Sequence, residues 1–124
     1  MTTTSKPASF KSRHSFDARL KESKRILSKY PDRIPIICEK VEGNNIARMA
    51  KQKYLIPSDI CLGQFIYSIR KHIRLSEEKA IYMYIGGNIP AVSESLASLY
   101  AQYKDQDGFL YLNYAGENTF GCAL

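Results

Sequence analysis

The sequence predicts an α+β domain built around one mixed sheet. Three observations carry this. The hydrophobic period alternates between about two and about 3.6 residues along the chain, giving the order helix, strand, strand, helix, strand, helix, strand. The stretch Lys51 to Lys71 runs a strand, a turn and a helix together without a linker. The length of 124 residues gives room for one domain with a single core.

Taken in order, Met1 to Ser9 is rich in Thr, Ser and Lys and is expected to be a mobile tail. Residues 10–30 are expected to form a helical arm. Ser15 can cap a helix ending near Lys29, with Asp17 in the first turn and Arg25 and Lys29 in the last, where each charge suits the helix dipole. Its expected apolar stripe is Phe16, Leu20, Ile26, Leu27 and Tyr30. Tyr30-Pro31-Asp32-Arg33 reads as a turn into a domain core spanning residues 31–115.

Ile34 to Lys40 is a strand with Ile34, Ile36 and Cys38 on one face and Pro35 and Ile37 on the other, a β-branched run that expects cover on both sides. Val41 to Ala50, with Gly43-Asn44-Asn45, reads as a polar loop with room for one helical turn. In the next strand Lys53 and Leu55 point one way and Tyr54 and Ile56 the other. Pro57-Ser58-Asp59 stops it. Leu62, Phe65, Ile66, Ile69 and Ile73 then recur at helical spacing, with Arg70, Lys71 and Arg74 expected in the last turn.

Ile81 to Ile85 is a short strand ended by Gly86-Gly87-Asn88, and Ser93 can cap a helix bearing Leu96, Leu99, Tyr100 and Tyr103. Phe109 to Tyr114 is the last strand, with Leu110, Leu112 and Tyr114 opposite Phe109 and Tyr111. After it, residues 116–124 read as a flexible tail.

Composition narrows the function classes. The net charge of +6 is uneven: residues 1–29 hold eight Lys/Arg against two Asp/Glu, and residues 30–124 hold ten of each. Such a basic arm could serve nucleic acid, anionic lipid, a cytoskeletal surface or an acidic protein, or be a solvated helix face. It lacks the interleaved aromatic and basic residues of single-strand binders, so nucleic acid is not the expected partner. Cys38, Cys61 and Cys122 form no Cys-x-x-Cys pair, and with His14 and His72 they make no zinc spacing. No metal, cofactor or catalytic residue is predicted. No apolar run approaches the roughly 18–20 residues needed to span a bilayer, and the first six residues lack a signal-peptide core. The expected location is the cytoplasm.

The stretches Lys29-Tyr-Pro-Asp-Arg-Ile-Pro-Ile-Ile-Cys-Glu-Lys40, Lys53-Tyr-Leu-Ile-Pro-Ser-Asp59, Gly63-Gln-Phe65, Ile69-Arg-Lys71 and Asp107-Gly-Phe-Leu-Tyr111 resemble the autophagy ubiquitin-like modifiers, the family of the GABA-receptor-associated protein. The resemblance runs from about Phe16 to Gly121. It implies a ubiquitin-like β-grasp fold with a four-stranded mixed sheet and an added N-terminal helical arm. It also implies a monomer before conjugation and a modifier, not an enzyme.

At the C-terminus the resemblance implies that Phe120-Gly121 is the conjugation site and that Cys122-Ala123-Leu124 is an extension removed by a processing cysteine protease. Gly121 would then be passed between E1-like and E2-like enzymes and joined to phosphatidylethanolamine on the autophagosome membrane. Glycine suits this physically, because without a Cβ it lets an extended chain enter a narrow active site. A prenylation signal fails on spacing, since it places the cysteine fourth from the end and Cys122 is third.

The strand at Lys51–Ile56 is implied to be an edge to which cargo-receptor peptides with an aromatic-x-x-aliphatic core add as another strand. Residue by residue, Glu22, Ile26, Pro35, Ile37, Lys53, Leu55 and Phe109 would line the pocket for the aromatic residue. Tyr54, Ile56, Pro57, Ile60, Phe65 and Ser68 would line the pocket for the aliphatic one. Arg33 and Lys51 would, with Lys53, attract acidic flanking residues, and Arg70 matches a position tied to protease recognition. Lysines that merely guard a strand edge are the alternative reading of Lys51 and Lys53. Ser68 stands where relatives usually carry an aliphatic residue, and Gly86-Gly87 and Pro90-Ala91 also depart from the family pattern.

Overall fold

The computed structural model describes residues 8–76 and 78–116. Eight elements follow in chain order: α1 (Phe10–Arg13), α2 (Phe16–Lys29), β1 (Arg33–Lys40), β2 (Lys53–Pro57), α3 (Leu62–His72), β3 (Ile81–Tyr84), α4 (Leu96–Tyr103) and β4 (Leu110–Gly116). The strands form one sheet in the order β2-β1-β4-β3. The central pair β1 and β4 is parallel, and β2 and β3 join it antiparallel. This is the expected mixed β-grasp sheet, with one short helix more than the sequence suggests.

Strand alternation divides the apolar residues between two cores. On one face Ile34, Ile36, Cys38, Tyr54, Met83, Leu110, Leu112 and Tyr114 pack against Leu62, Phe65 and Ile69 of α3 and Leu96 and Leu99 of α4. On the other, Ile37 and Phe109 pack with Ile26 of α2 and Phe10 of α1, with Leu55 and Tyr111 alongside. Five consecutive residues of β1, Ile34 to Cys38, are therefore buried, as a strand covered on both sides requires.

The arm is fastened by a buried polar cluster. Asp107, fully buried, accepts from Arg19 Nη1 at 2.6 Å and Tyr111 Oη at 2.5 Å through Oδ2, and from the Phe109 amide at 2.9 Å through Oδ1. Ser23 Oγ donates to the Asp107 carbonyl. A buried charge persists only when it is paired and hydrogen-bonded, and here both carboxylate oxygens are engaged, by groups from α2, from β4 and from Phe109 just before it. Gly108 turns beside it with φ of +91°, and a Cβ there would stand 2.3 Å from Ser23 Oγ.

Several expectations are corrected. Phe16 and Tyr30 are 42% and 36% exposed, because the face of α2 turned to the sheet is set by Ser23 and Ile26 against the Asp107 turn. α4 is capped by Ser95, whose hydroxyl accepts from the Ser98 amide, and not by Ser93. The preceding segment is used to receive the start of α3, with the Leu62 and Gly63 amides donating to the Glu94 and Val92 carbonyls. α3 ends at His72, and Arg74 lies beyond it with φ of +54°, outside the last turn. β4 runs on to Gly116, where Asn44 Oδ1 accepts the Gly116 amide at 2.8 Å and the Ile46 amide at 2.9 Å. The loop after β1 holds no helical turn and is packed, with Asn44, Ile46 and Met49 buried. Among the described residues no helix is long and apolar enough to cross a membrane.

Candidate functional site

β2 lies at the edge of the sheet, and its hydrogen-bond parity decides what that edge offers. The Cys38 amide donates to the Gln52 carbonyl at 2.8 Å and the Ser58 amide to the Asp32 carbonyl at 3.0 Å. Bonded and non-bonded pairs alternate along an antiparallel ladder, so Ile34 with Ile56 and Ile36 with Tyr54 are bonded pairs in the observed register. Pro35, which has no N–H, falls at a non-bonded position opposite Leu55. Leu55 and Lys53 consequently turn their backbone N–H and C=O groups outward. An added strand would meet those four groups.

Around the outward edge the expected first-pocket residues come together on the arm side of the sheet. Ile26, Ile37 and Phe109 are at most 1% exposed, Pro35 is buried, and Leu55 is half-buried. Beside them an ion pair joins β2 to α2, Lys53 Nζ to Glu22 Oε2 at 2.7 Å, and Arg25 Nη2 meets the same oxygen at 2.9 Å. Hydrogen bonds from Arg25 and then Lys53 hold the Glu22 carboxyl down at about 2, against a smaller opposing effect of burial.

Phe10 belongs to the same cluster, and sequence reasoning singled it out for nothing. Its ring meets Phe109 edge-on at 5.3 Å, and its amide donates to Glu39 Oε2 at 2.8 Å. The available signal was Ser9, which caps α1 by accepting from the Ser12 amide.

Of the expected second-pocket residues, Tyr54, Ile56, Ile60 and Phe65 lie on the opposite, α3 side of β2, whereas strand alternation puts Pro57 on the face of Leu55. Tyr54 is buried, edge-on to Phe65 at 5.7 Å, with its hydroxyl donating to the Lys51 carbonyl at 2.8 Å. Burial pushes this phenol up to about 12. Ile56 and Ile60 are half-buried against the same core, while Pro57 and Ser68 are exposed. The Ser68 carbonyl is paired with His72 Nδ1 at 2.9 Å.

The three expected charge contacts are already engaged. Arg33 Nη1 donates to the outward Leu55 carbonyl at 3.1 Å. Lys51 Nζ stands 5.0 Å over the Tyr54 ring. Arg70 donates to the Ser76 and Lys79 carbonyls at 3.1 and 2.7 Å, bracing the loop after α3. Phe120, Gly121 and Cys122 lie outside the described residues. A cavity of about 730 Å³ opens elsewhere, at the far end of β1 among Ser9, Glu39, Lys40, Arg48, Gln52 and Asn113. It shares no residue with either pocket. Among the described residues no group of acidic, His or Cys side chains could hold a metal ion.

The family model described as "Autophagy protein Atg8 ubiquitin like" matches residues 18–121. The chain belongs to the Atg8 family. The Autophagy-related protein 8 of Mycosarcoma maydis is 51% identical over 114 residues, covering 92% of this chain and 97% of that protein. That of Cochliobolus heterostrophus strain C5 is 53% identical over 115 residues, covering 93% and 97%. Among solved structures, Trypanosoma brucei ATG8 superposes with a TM-score of 0.87 at 40% identity, covering 94% of this chain and all of that one. Plasmodium falciparum Atg8, solved in complex with a Plasmodium falciparum Atg3 peptide, gives 0.80 at 33% identity over 88% of this chain and 96% of that one. This Atg8-family chain is thus a ubiquitin-like modifier of autophagy and not an enzyme.

Proposed function

We infer that this Atg8-family chain is cleaved after Gly121, joined through that residue to phosphatidylethanolamine, and displayed on autophagosomal membranes, having been cytoplasmic before conjugation. There it binds aromatic-x-x-aliphatic peptides of cargo receptors and of the conjugation machinery along β2. The observation that supports the peptide reading is the edge itself. Lys53 and Leu55 turn backbone N–H and C=O groups outward between one apolar cluster on the arm side and another on the α3 side. An extended peptide could pair with that edge while sending alternate side chains to the two faces.

The Plasmodium relative's bound Atg3 peptide favours an Atg3-type conjugation enzyme as one such partner. Anchoring by a two-chain lipid suits stable display, since a single acyl chain holds a protein to a bilayer only marginally. The basic arm is a weaker candidate for a nucleic-acid or cytoskeletal surface, because Lys11, Arg19 and Arg25 pair with Asp105, Asp107 and Glu22 of the chain itself.

Calorimetric titration with an aromatic-x-x-aliphatic peptide tests the binding reading, with micromolar affinity expected for the wild type and at least a tenfold loss for Leu55→Ala. Equal affinity for the two proteins would overturn it. Mass spectrometry of the C-terminus from cells tests the conjugation reading.

A further inference from the structure

Of the two carbonyls that an added strand would meet on β2, those of Lys53 and Leu55, that of Leu55 already has a partner among the described residues, and the partner is Arg33. Arg33 starts β1 at a non-bonded position opposite Pro57, so its side chain leaves on the same face as Pro57 and Leu55. Diagonal neighbours across such a pair lie about 7–8 Å apart, within reach of a long side chain. The guanidinium crosses β2 and donates from Nη1 to the Leu55 carbonyl at 3.1 Å, at the edge where a peptide strand would have to donate. Two donors then compete for one acceptor.

We propose that Arg33 is a latch on the binding edge: it occupies the Leu55 acceptor in the free protein and is drawn off by an acidic side chain on the incoming peptide. The inference rests on the edge-binding reading given above. Leu55 lines the arm-side cluster, while Ile56 lies on the α3 side. Its carbonyl therefore faces the two residues between the aromatic and aliphatic positions of a peptide.

An Asp or Glu at either of those positions accepts the displaced guanidinium, in a charge-assisted bond stronger than the neutral one it replaces. A peptide with Gln or Asn there must break the Arg33 bond without that compensation. Selectivity for an acidic residue inside the motif would arise from the cost of unlatching as well as from attraction. The same bond blunts the edge against pairing with a second copy of the chain.

The test is Arg33→Met, which keeps the length of the side chain and removes every donor. Two peptides identical except for Glu or Gln between the aromatic and aliphatic residues are titrated into wild type and variant by calorimetry, and the Leu55 carbonyl carbon shift is read by NMR without peptide. The wild type should favour the Glu peptide. The variant should bind the Gln peptide about three- to tenfold tighter than the wild type does, and should lose most of the Glu preference.

Removing the donor should also move the Leu55 carbonyl shift in the free protein. An unchanged shift, or a Gln-peptide affinity that is unaltered or weakened in the variant, overturns the latch while leaving edge binding standing. If neither protein binds either peptide, the edge reading and the latch that depends on it both fall.

Discussion

Lys53 Nζ and Glu22 Oε2 stand 2.7 Å apart, joining the edge strand to the helical arm directly over a cluster whose apolar members are almost completely buried. Their pairing has a pH signature. The Glu22 carboxyl falls from its ordinary 4.5 to about 2 in the folded chain, so its contribution to stability is present above pH 4.5 and is lost as the pH falls through about 2. Urea midpoints of wild type and Glu22→Gln should therefore differ by a constant amount above pH 5, draw together as the pH falls below 4.5, and converge only below about pH 2. With side chains 26% and 42% exposed, the difference should stay within about 1 kcal/mol. A gap that stays undiminished between pH 5 and pH 2 would assign the effect to packing.

Gly108 and Ser23 fix how closely the arm approaches the sheet. With φ of +91° and Ser23 Oγ 2.3 Å from where its Cβ would stand, Gly108→Ala combines backbone strain with a clash, and should cost about 2–4 kcal/mol in chemical denaturation. Adding Ser23→Ala should recover only part of the loss. It removes the hydroxyl but leaves Ser23 Cβ, 2.9 Å away, and the backbone strain. Full recovery would show that the strain is negligible.

Breaking the Arg19–Asp107 pair should be more severe. Asp107→Ala leaves the Arg19 guanidinium, the Tyr111 hydroxyl and the Phe109 amide without their common acceptor, and a one-sided loss from a buried pair costs about 3–5 kcal/mol. Circular-dichroism melts should show a markedly lower Tm. A shift indistinguishable from that of an exposed Asp59→Ala control would place the cluster outside the cooperative core.

Period and parity made the sheet legible in the sequence. Each of Pro35, Ile37, Phe109 and Leu55 lies on the face that alternation gives it, because a strand with both sides covered tolerates no slip. The loop after β1 and the arm were less legible. Asn44 holds Gly116 across 72 residues and Arg19 reaches Asp107 across 88, and neither pairing leaves a local pattern. Helical spacing suggested Phe16 and Tyr30 as core, but the close approach at Gly108 turned Ser23 inward instead. Arg33 and Arg70 were legible as cations. That both donate to backbone carbonyls depends on where β2 and the loop after α3 are placed, which composition does not encode.

Gly121→Ala should leave the described fold intact, since none of the elements among the described residues includes it, while blocking cleavage and conjugation. Thermal melts matching wild type, together with an uncut C-terminus and no lipidated band in cells, are the expected result. A lipidated Gly121→Ala protein would mean that another residue is conjugated.

Ser68 tests the α3 side of the edge. It is exposed in the free chain, about one turn after Phe65 and directly before Ile69, which are buried in the core behind Tyr54. If an aliphatic peptide residue settles here, it removes water from the Ser68 hydroxyl and offers no hydrogen-bond partner, a loss of about 1–3 kcal/mol when complete. Ser68→Val replaces that hydroxyl with two methyl groups. It should tighten a peptide with Leu at the aliphatic position several-fold, and one with Ala there much less. Helix propensity makes Val slightly worse than Ser in the free protein, by a few tenths of a kcal/mol, so the midpoint of unfolding should barely move and the gain will read as binding. The measurement is a double-mutant cycle by calorimetry pairing Ser68→Val with ligand Leu→Ala, with a coupling of about 0.5–1.5 kcal/mol expected for groups in contact. A coupling of zero within error would make Ser68 a solvated helix residue and leave Tyr54, Ile56 and Ile60 to form the site without it.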